Sequence, residues 1–263
     1  MEDLVMADFE GQFLWYDLLT SDIENAKAFY TDIVGWGAQI WEESKETYTM
    51  WTLDKQPIGG IMLLPEQAKQ QGAPPHWMGY IGTSDVTTTL NKAKDLGAQI
   101  FVPPTNIPEV GTFAVMADPQ GAVIAVYTPS TQAPDLGGEP KPGRIIWHEL
   151  LTIDQEAAWD FYQQLFGWEQ TDVMDMGAMG SYRIYGKDGR TLGGIMTKPK
   201  EMPGASMWIY YITVQDINTA IDKVKSHKGK VLNGPTEVPG GGQVAQCMDP
   251  QGAMFALHAN TKI

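Results

Sequence analysis

Two carboxylates lie at matching places in strongly apolar stretches of the chain. Asp17 is in "QFLWYDLLT" and Glu149 in "RIIWHELLT", 132 residues apart. Both stretches predict β-strands, with each carboxylate on the inward face among Phe, Trp, Leu and Ile. Because an unpaired carboxylate on an apolar face is costly, each one either has a partner or a raised pKa. We therefore consider a general base or a ligand anchor; the structural alternative is a hydrogen bond to backbone or a neighbouring tyrosine.

One histidine can join this chemistry. His258, in the last apolar stretch "MFALHAN", is expected on the inward face, where with Glu149 it forms an acid and imidazole pair in the second half. Of the remaining histidines, His76 is interpreted as a loop residue and His148 as a residue that faces away from the site. His227 is interpreted as exposed. Asp17, Glu149 and His258 are therefore the candidate catalytic residues.

These residues belong to a tandem repeat. Matching letters recur in the same order at spacings of 131 to 134 residues: Trp15 and Trp147, Phe29-Tyr30 and Phe161-Tyr162, "GGIM" from Gly59 and Gly193, Trp77 and Trp208, Asp85 and Asp216, and "DPQGA" from Asp118 and Asp249. The segment 129–143 is rich in Pro, Gly and small polar residues and predicts a linker. We expect one domain over 1–128 and a second over 144–263.

Each half divides once more. A short apolar strand is followed by a helical pattern that begins near an aspartate and ends at a glycine, then by short strands. This plan occurs four times and predicts an α+β fold of four βαβββ units, with helices packed on one face of mixed sheets.

Composition limits the partners. The 263 residues include 18 Lys and Arg against 32 Asp and Glu, a net charge of −14, which disfavours nucleic acid and anionic membranes. The single cysteine fits a reducing compartment, and no signal peptide or membrane-spanning stretch is visible. We expect a cytoplasmic monomer or homodimer that binds a small molecule.

The order of these motifs resembles the vicinal oxygen chelate superfamily, which includes glyoxalase I, extradiol dioxygenases and bleomycin resistance proteins. The features that carry the resemblance are the "FY....GW" helix, "W..YI...D" and "DPQGA", each present in both halves. The resemblance covers nearly the whole chain and implies two glyoxalase-like domains whose cupped sheets hold a ligand.

The resemblance also implies metal ligands at inward strand positions, and this sequence departs from that pattern. Those positions hold Trp15, Gly79 and Ala125 in the first half and Trp147, Tyr210 and Ala256 in the second. We expect no metal site there, because these side chains lack the imidazole and carboxylate donors that the family uses. No cofactor is predicted, and a divalent metal held by other residues stays an alternative.

Large aromatic residues are expected to line the two cups instead. They are predicted to bind an aromatic or amphipathic organic molecule, although filling the core is the simpler role for such side chains: Trp15, Trp77, Tyr127, Trp147, Trp208 and Tyr210. The leading hypothesis is a metal-independent binding protein. The alternative is an enzyme with glyoxalase I (lactoylglutathione lyase)-like or dioxygenase-related activity that uses the inward carboxylates.

Overall fold

The computed structural model describes residues 9–41, 48–131, 141–199, 202 and 204–260, in which four consecutive quarters share one plan. The first has β1 (Phe13–Thr20), α1 (Ile23–Val34), β2 (Gly37–Trp41), β3 (Tyr48–Leu53) and β4 (Gln56–Leu63), followed by the short α2 (Glu66–Gln70). The second has β5 (His76–Gly82), α3 (Val86–Asp95), β6 (Gln99–Ile107), β7 (Gly111–Ala117) and β8 (Val123–Pro129).

The second half repeats this order. The third quarter has β9 (Ile145–Thr152), α4 (Gln155–Phe166), β10 (Glu169–Asp175), a 3-10 turn (Gly177–Met179), β11 (Ser181–Lys187) and β12 (Arg190–Thr197). The fourth has β13 (Met207–Thr213), α5 (Ile217–Ser226), β14 (Lys230–Val238), β15 (Gly242–Met248) and β16 (Met254–Asn260). Among the described helices, none has the length and apolar character needed to cross a bilayer.

The strands form two mixed eight-stranded sheets. Their orders are β2-β3-β4-β1-β5-β8-β7-β6 and β10-β11-β12-β9-β13-β16-β15-β14. Within each quarter the first and last strands pair in parallel, and the strands that follow the helix pair with their chain neighbours antiparallel. A parallel pair needs a crossover connection, which each long helix and its two following strands supply. The predicted α+β class with four βαβββ units is confirmed.

An aspartate begins each of the four long helices. Each carboxylate accepts a hydrogen bond from a backbone N–H three residues later, which satisfies one of the donors that a helix leaves unpaired at its start: Asp22, Asp85, Asp154 and Asp216. The helices α1 and α4 both end at a glycine in the left-handed conformation, Gly35 and Gly167. Short sequence signals therefore set the start of the long helix in all four quarters and its end in two of them.

Contacts along the chain define two compact units. Unit 1 comprises Met1–Trp15, Gly79–Leu136 and His148–Trp208, and therefore holds most of the second and third quarters. Unit 2 comprises Tyr16–Met78, Gly137–Trp147 and Ile209–Ile263, most of the first and fourth. Each compact unit thus combines quarters from both sequence repeats. Of the predicted linker 129–143, residues 132–140 lie outside the described residues.

A buried carboxylate anchors the helix in unit 1. Asp118, in the turn before β8, accepts hydrogen bonds from the backbone N–H groups of Gln120 and Ala122 through Oδ1. Its Oδ2 accepts one from the hydroxyl of Tyr162 on α4 at 3.0 Å. Burial raises the pKa of Asp118, although these hydrogen bonds oppose the rise.

Unit 2 contains the same anchor. Asp249, in the turn before β16, holds three backbone N–H groups through Oδ1 and the hydroxyl of Tyr30 on α1 through Oδ2, at 3.2 Å. The repeated "DPQGA" therefore does more than turn the chain. In each unit its aspartate joins the strand of one quarter to the helix of the other.

We predict that Tyr30→Phe and Tyr162→Phe each lower the free energy of unfolding by about 1–3 kcal/mol, because each leaves a buried carboxyl group without one hydrogen bond. Urea denaturation at pH 7 measures this loss. Asp160→Asn, an exposed change on α4, is the control and is expected to have little effect. Losses no larger than in the control would show that these anchors do not stabilise the fold.

Candidate functional site

The carboxylate of Asp17 is held by a tyrosine from a strand two places away in the sheet. Asp17 lies on β1 with 4% of its surface exposed. The hydroxyl of Tyr48, on β3, donates to Oδ1 of Asp17 at 2.6 Å. A hydrogen bond this short between a hydroxyl and a carboxylate is charge-assisted and fixes the orientation of both groups. The structural alternative considered from the sequence, a neighbouring tyrosine, is confirmed for Asp17.

A glycine on the intervening strand makes this bond possible. Gly60 on β4 is the Cα partner of Asp17, and the ring of Tyr48 passes over it. A Cβ atom at Gly60 would collide with the Tyr48 hydroxyl and would lie 2.6 Å from Oδ1 of Asp17. The tyrosine ring that crosses this position thus explains why the second residue of "GGIM" is a glycine.

The second repeat has the same arrangement in unit 1. Glu149 on β9 is 4% exposed, and its Cα partner on β12 is Gly194. The ring of Tyr182, on β11, covers Gly194 so closely that a Cβ atom there would collide with it. Each unit therefore carries a carboxylate, a tyrosine and a glycine in equivalent positions.

Sequence reasoning missed both tyrosines and the role of both glycines. A signal was present, since in each half a tyrosine precedes the second glycine of "GGIM" by 12 residues, Tyr48 before Gly60 and Tyr182 before Gly194. The spacing alone does not reveal a contact, because it becomes a cross-strand neighbour only through the β3–β4 and β11–β12 hairpins.

Three of the predicted ligand-binding aromatics lie in the core instead. Trp77 donates its indole N–H to the Tyr30 hydroxyl at 2.9 Å, and Trp208 donates to the Tyr162 hydroxyl at 3.3 Å. Tyr210 is 1% exposed and meets Tyr16 edge to face, with ring centroids 5.4 Å apart. This placement differs from the prediction, so we leave Trp77, Trp208 and Tyr210 out of the proposed site.

The reason is which side chains of β5 and β13 point to the face that holds Ala125 and Ala256. Tyr80 on β5 is the Cα partner of Ala125, and Tyr211 on β13 is the Cα partner of Ala256. Paired residues of adjacent strands share a face, so Tyr80 and Tyr211 take the face that the sequence interpretation gave to Gly79 and Tyr210. A shift of one residue exchanged the two faces.

The face next to Ala125 in unit 1 is aromatic. The ring of Tyr80 lies 6.1 Å from that of Phe113 and 6.5 Å from that of Tyr127. Tyr127 is half-buried and donates its hydroxyl to the carbonyl oxygen of Val110 at 2.8 Å. Such a surface suits a planar ligand. The predicted aromatics Trp15 and Trp147 are half-buried.

The candidate pair of Glu149 and His258 is divided between the units. Glu149 belongs to unit 1 and His258 to unit 2, and their cooperation stays a prediction. His258 is half-buried, and burial lowers its pKa. At the surface, Nε2 of His227 lies 2.9 Å from Oδ2 of Asp32.

The side chains at the family's metal positions do not fit a divalent cation. At the positions that the resemblance indicated, Trp15, Gly79, Ala125, Trp147 and Ala256 offer no oxygen or imidazole donor, and Tyr210 is buried against Tyr16. On the face that carries Ala125 and Ala256, the neighbouring strands hold Tyr80 and Tyr211, and a phenol is not among the ligands that the resemblance implies. Within the described ranges, no cluster of three or more His, Cys, Asp or Glu side chains could hold a metal ion.

Four βαβββ units in mixed sheets, two to each half, define a glyoxalase-like protein. The chain belongs to the Glyoxalase/Bleomycin resistance protein/Dioxygenase superfamily, whose model matches residues 12–126 and 144–257. It is 32% identical to "Putative glyoxylase CFP32" of Mycobacterium bovis, over 94% of each chain. It is also 26% identical to the "Anthracycline biosynthesis protein DnrV" of Streptomyces peucetius, over 94% of this chain and 92% of that protein.

Solved structures share the fold. An Mn(II)-bound glyoxalase from Novosphingobium aromaticivorans matches with a TM-score of 0.63 and 14% identity, over 96% of this chain and 83% of that one. A homoprotocatechuate 2,3-dioxygenase variant from B. fuscum matches with a TM-score of 0.66 and 13% identity, over 96% of this chain and 72% of that one. At these identities the likeness concerns the fold and not the chemistry.

The burial of the His148 ring can be tested by the pH dependence of stability. Its ring stacks on Phe13 at 3.8 Å and lies 2.6 Å from the carbonyl oxygen of Leu192, and burial lowers its pKa from 6.5 to about 4. The His148 imidazole binds a proton near pH 6.5 in the unfolded chain and only near pH 4 in the folded chain. As pH falls through this range, His148 therefore lowers the free energy of unfolding, by roughly 3 kcal/mol in total.

We predict that His148→Phe, which keeps a ring beside Phe13, loses less stability than the wild type between pH 7 and pH 4.5. Urea denaturation at several pH values measures the difference between the two proteins, which cancels the contributions of all other groups. Parallel pH profiles would show that His148 is not buried as a neutral ring.

Proposed function

We propose that this protein binds a planar organic molecule that carries hydroxyl groups, and that it does so without a metal ion. The observation that carries the proposal is the carboxylate that each unit holds on a strand face beside a tyrosine and a glycine. A buried carboxylate is a strong hydrogen-bond acceptor for a ligand hydroxyl, because little water competes with it.

The neighbouring surfaces support a planar ligand. In unit 1, Tyr80, Phe113 and Tyr127 present aromatic rings on one sheet face. Small-molecule sites typically combine such apolar surface with a few fixed polar groups. A relative at 26% identity is named an anthracycline biosynthesis protein, and anthracyclines are planar hydroxylated aromatic ketones. We therefore take this chemical class as the first to test.

We predict that 1,4-dihydroxyanthraquinone quenches the tryptophan fluorescence of the protein on binding. Asp17→Asn and Glu149→Gln each remove a charged acceptor and are expected to raise Kd about tenfold or more. Glu24→Gln is the control, because the side chain of Glu24 is 81% exposed on α1.

Circular dichroism and the melting temperature of each variant show that it is folded. If both carboxylate variants bind as tightly as the wild type and the control, the carboxylates are structural and the proposal fails.

A second candidate is a lyase or oxygenase-type enzyme in which Asp17 or Glu149 moves a proton. It is favoured by the name of the relative that is 32% identical, "Putative glyoxylase CFP32". The short bond from Tyr48 would orient Asp17 for proton transfer. Turnover of the hemithioacetal of methylglyoxal and glutathione, with and without Mn²⁺, distinguishes this candidate from binding alone.

We predict that removal of divalent metals with EDTA shifts the melting temperature by less than about 1 °C and leaves the Kd for 1,4-dihydroxyanthraquinone unchanged. A tightly bound ion would stabilise the folded state by an amount that grows with the logarithm of the ratio of its free concentration to its Kd. A fall of several degrees that Mn²⁺ reverses would instead reveal a metal site and favour the enzyme.

A further inference from the structure

Two buried polar atoms of unit 2 lie at neighbouring positions and have no hydrogen-bond partner among the described residues. They are Oγ1 of Thr213, on β13, and Nδ1 of His258, on β16. Thr213 is 3% exposed. Thr213 and His258 are Cα partners in parallel strands, so their side chains leave the same face of the sheet side by side. Buried polar atoms without a partner are rare, and each requires an explanation.

Other polar groups adjoin this pair on the same face. Tyr211 and Gln246 are both Cα partners of Ala256, which lies two residues before His258 on β16. The amide of Gln246 donates to the Tyr211 hydroxyl at 3.4 Å. A hydroxyl, an imidazole, an amide and a phenol therefore surround Ala256, whose side chain is a single methyl group.

A glycine again gives room to a ring. A Cβ atom at Gly242, on β15, would lie 2.7 Å from Nε2 of His258. The imidazole therefore rests against the backbone of β15. Burial lowers the pKa of His258 and so favours the neutral ring, in which one nitrogen is an acceptor.

The first repeat differs at these positions. Gly82 stands in place of Thr213, Tyr127 in place of His258, and Val115 in place of Gln246. The hydroxyl of Tyr127 already has a partner in the Val110 carbonyl oxygen. The two repeats thus keep the same strands and differ in polarity at these positions, so this set of polar groups belongs to the second repeat alone.

We propose that the face formed by Tyr211, Thr213, Gln246 and His258, here called the polar face, binds the part of an aromatic ketone where a hydroxyl group adjoins the carbonyl. The Thr213 hydroxyl donates to the ligand carbonyl oxygen, and Nδ1 of His258 accepts from the ligand hydroxyl. This inference rests on the proposed function and adds the chemical group that the site selects.

Two probes that differ only in hydroxyl groups test the proposal. Kd is measured by fluorescence quenching for 1,4-dihydroxyanthraquinone and for 9,10-anthraquinone, with the wild type, Thr213→Val and His258→Leu. His258→Leu should weaken the dihydroxy probe about tenfold and leave anthraquinone unchanged, whereas Thr213→Val should weaken both probes. Glu24→Gln, an exposed change on α1, is the control and should leave both Kd values unchanged.

The melting temperature of the free protein gives a second measurement. If the two atoms serve a ligand and not the fold, both variants should melt at or above the wild-type temperature, because each removes an unpartnered polar atom from a buried position. Lower melting temperatures together with unchanged Kd values would assign the pair to the fold and overturn the inference.

The outcomes also separate this inference from the proposed function. If Asp17→Asn weakens the dihydroxy probe and the His258 and Thr213 variants do not, the polar face is not the selecting site and the proposed function stands. If the wild type binds neither probe, the proposed function fails and this inference fails with it.

Discussion

A buried carboxylate bound to a tyrosine hydroxyl ties each compact unit together. Asp118 with Tyr162, and Asp249 with Tyr30, join a strand turn of one quarter to a helix of another. In each aspartate, Oδ1 accepts hydrogen bonds from the backbone of the turn, and Oδ2 remains available to the helix. Because burial of a carboxyl group is costly, the tyrosine and the backbone N–H groups offset that cost only when both quarters are in place. The two units therefore depend on contacts between the halves of the sequence.

The strand faces carry a second duplicated arrangement, in which a missing side chain matters as much as the polar groups. Gly60 lets Tyr48 reach Asp17, and Gly194 is covered in the same way by Tyr182 beside Glu149. Any side chain at these glycines would displace the ring. Both repeats thus place a buried carboxylate, a tyrosine ring and a glycine at matching positions.

Other positions have diverged between the repeats. His258 and Thr213 stand where the first repeat has Tyr127 and Gly82, so a polar face corresponds to an aromatic one. At the places where the superfamily binds metal, both repeats carry side chains such as Trp15 and Ala125 that cannot coordinate a cation. Duplication has therefore retained the fold, while the side chains at these positions differ from the metal ligands that the resemblance implies.

The sequence by itself determined the repeat, the four βαβββ units and the helix starts, because caps such as Asp22 act within a few residues. It also placed Asp17 and Glu149 on buried strands. Tertiary structure alone decided that Tyr48 binds Asp17, that Trp77 fills the core, and that Tyr211 and not Tyr210 shares a face with Ala256. The physical reason is that side chains alternate along a strand, so its pattern leaves two phases, and only pairing with distant strands selects one.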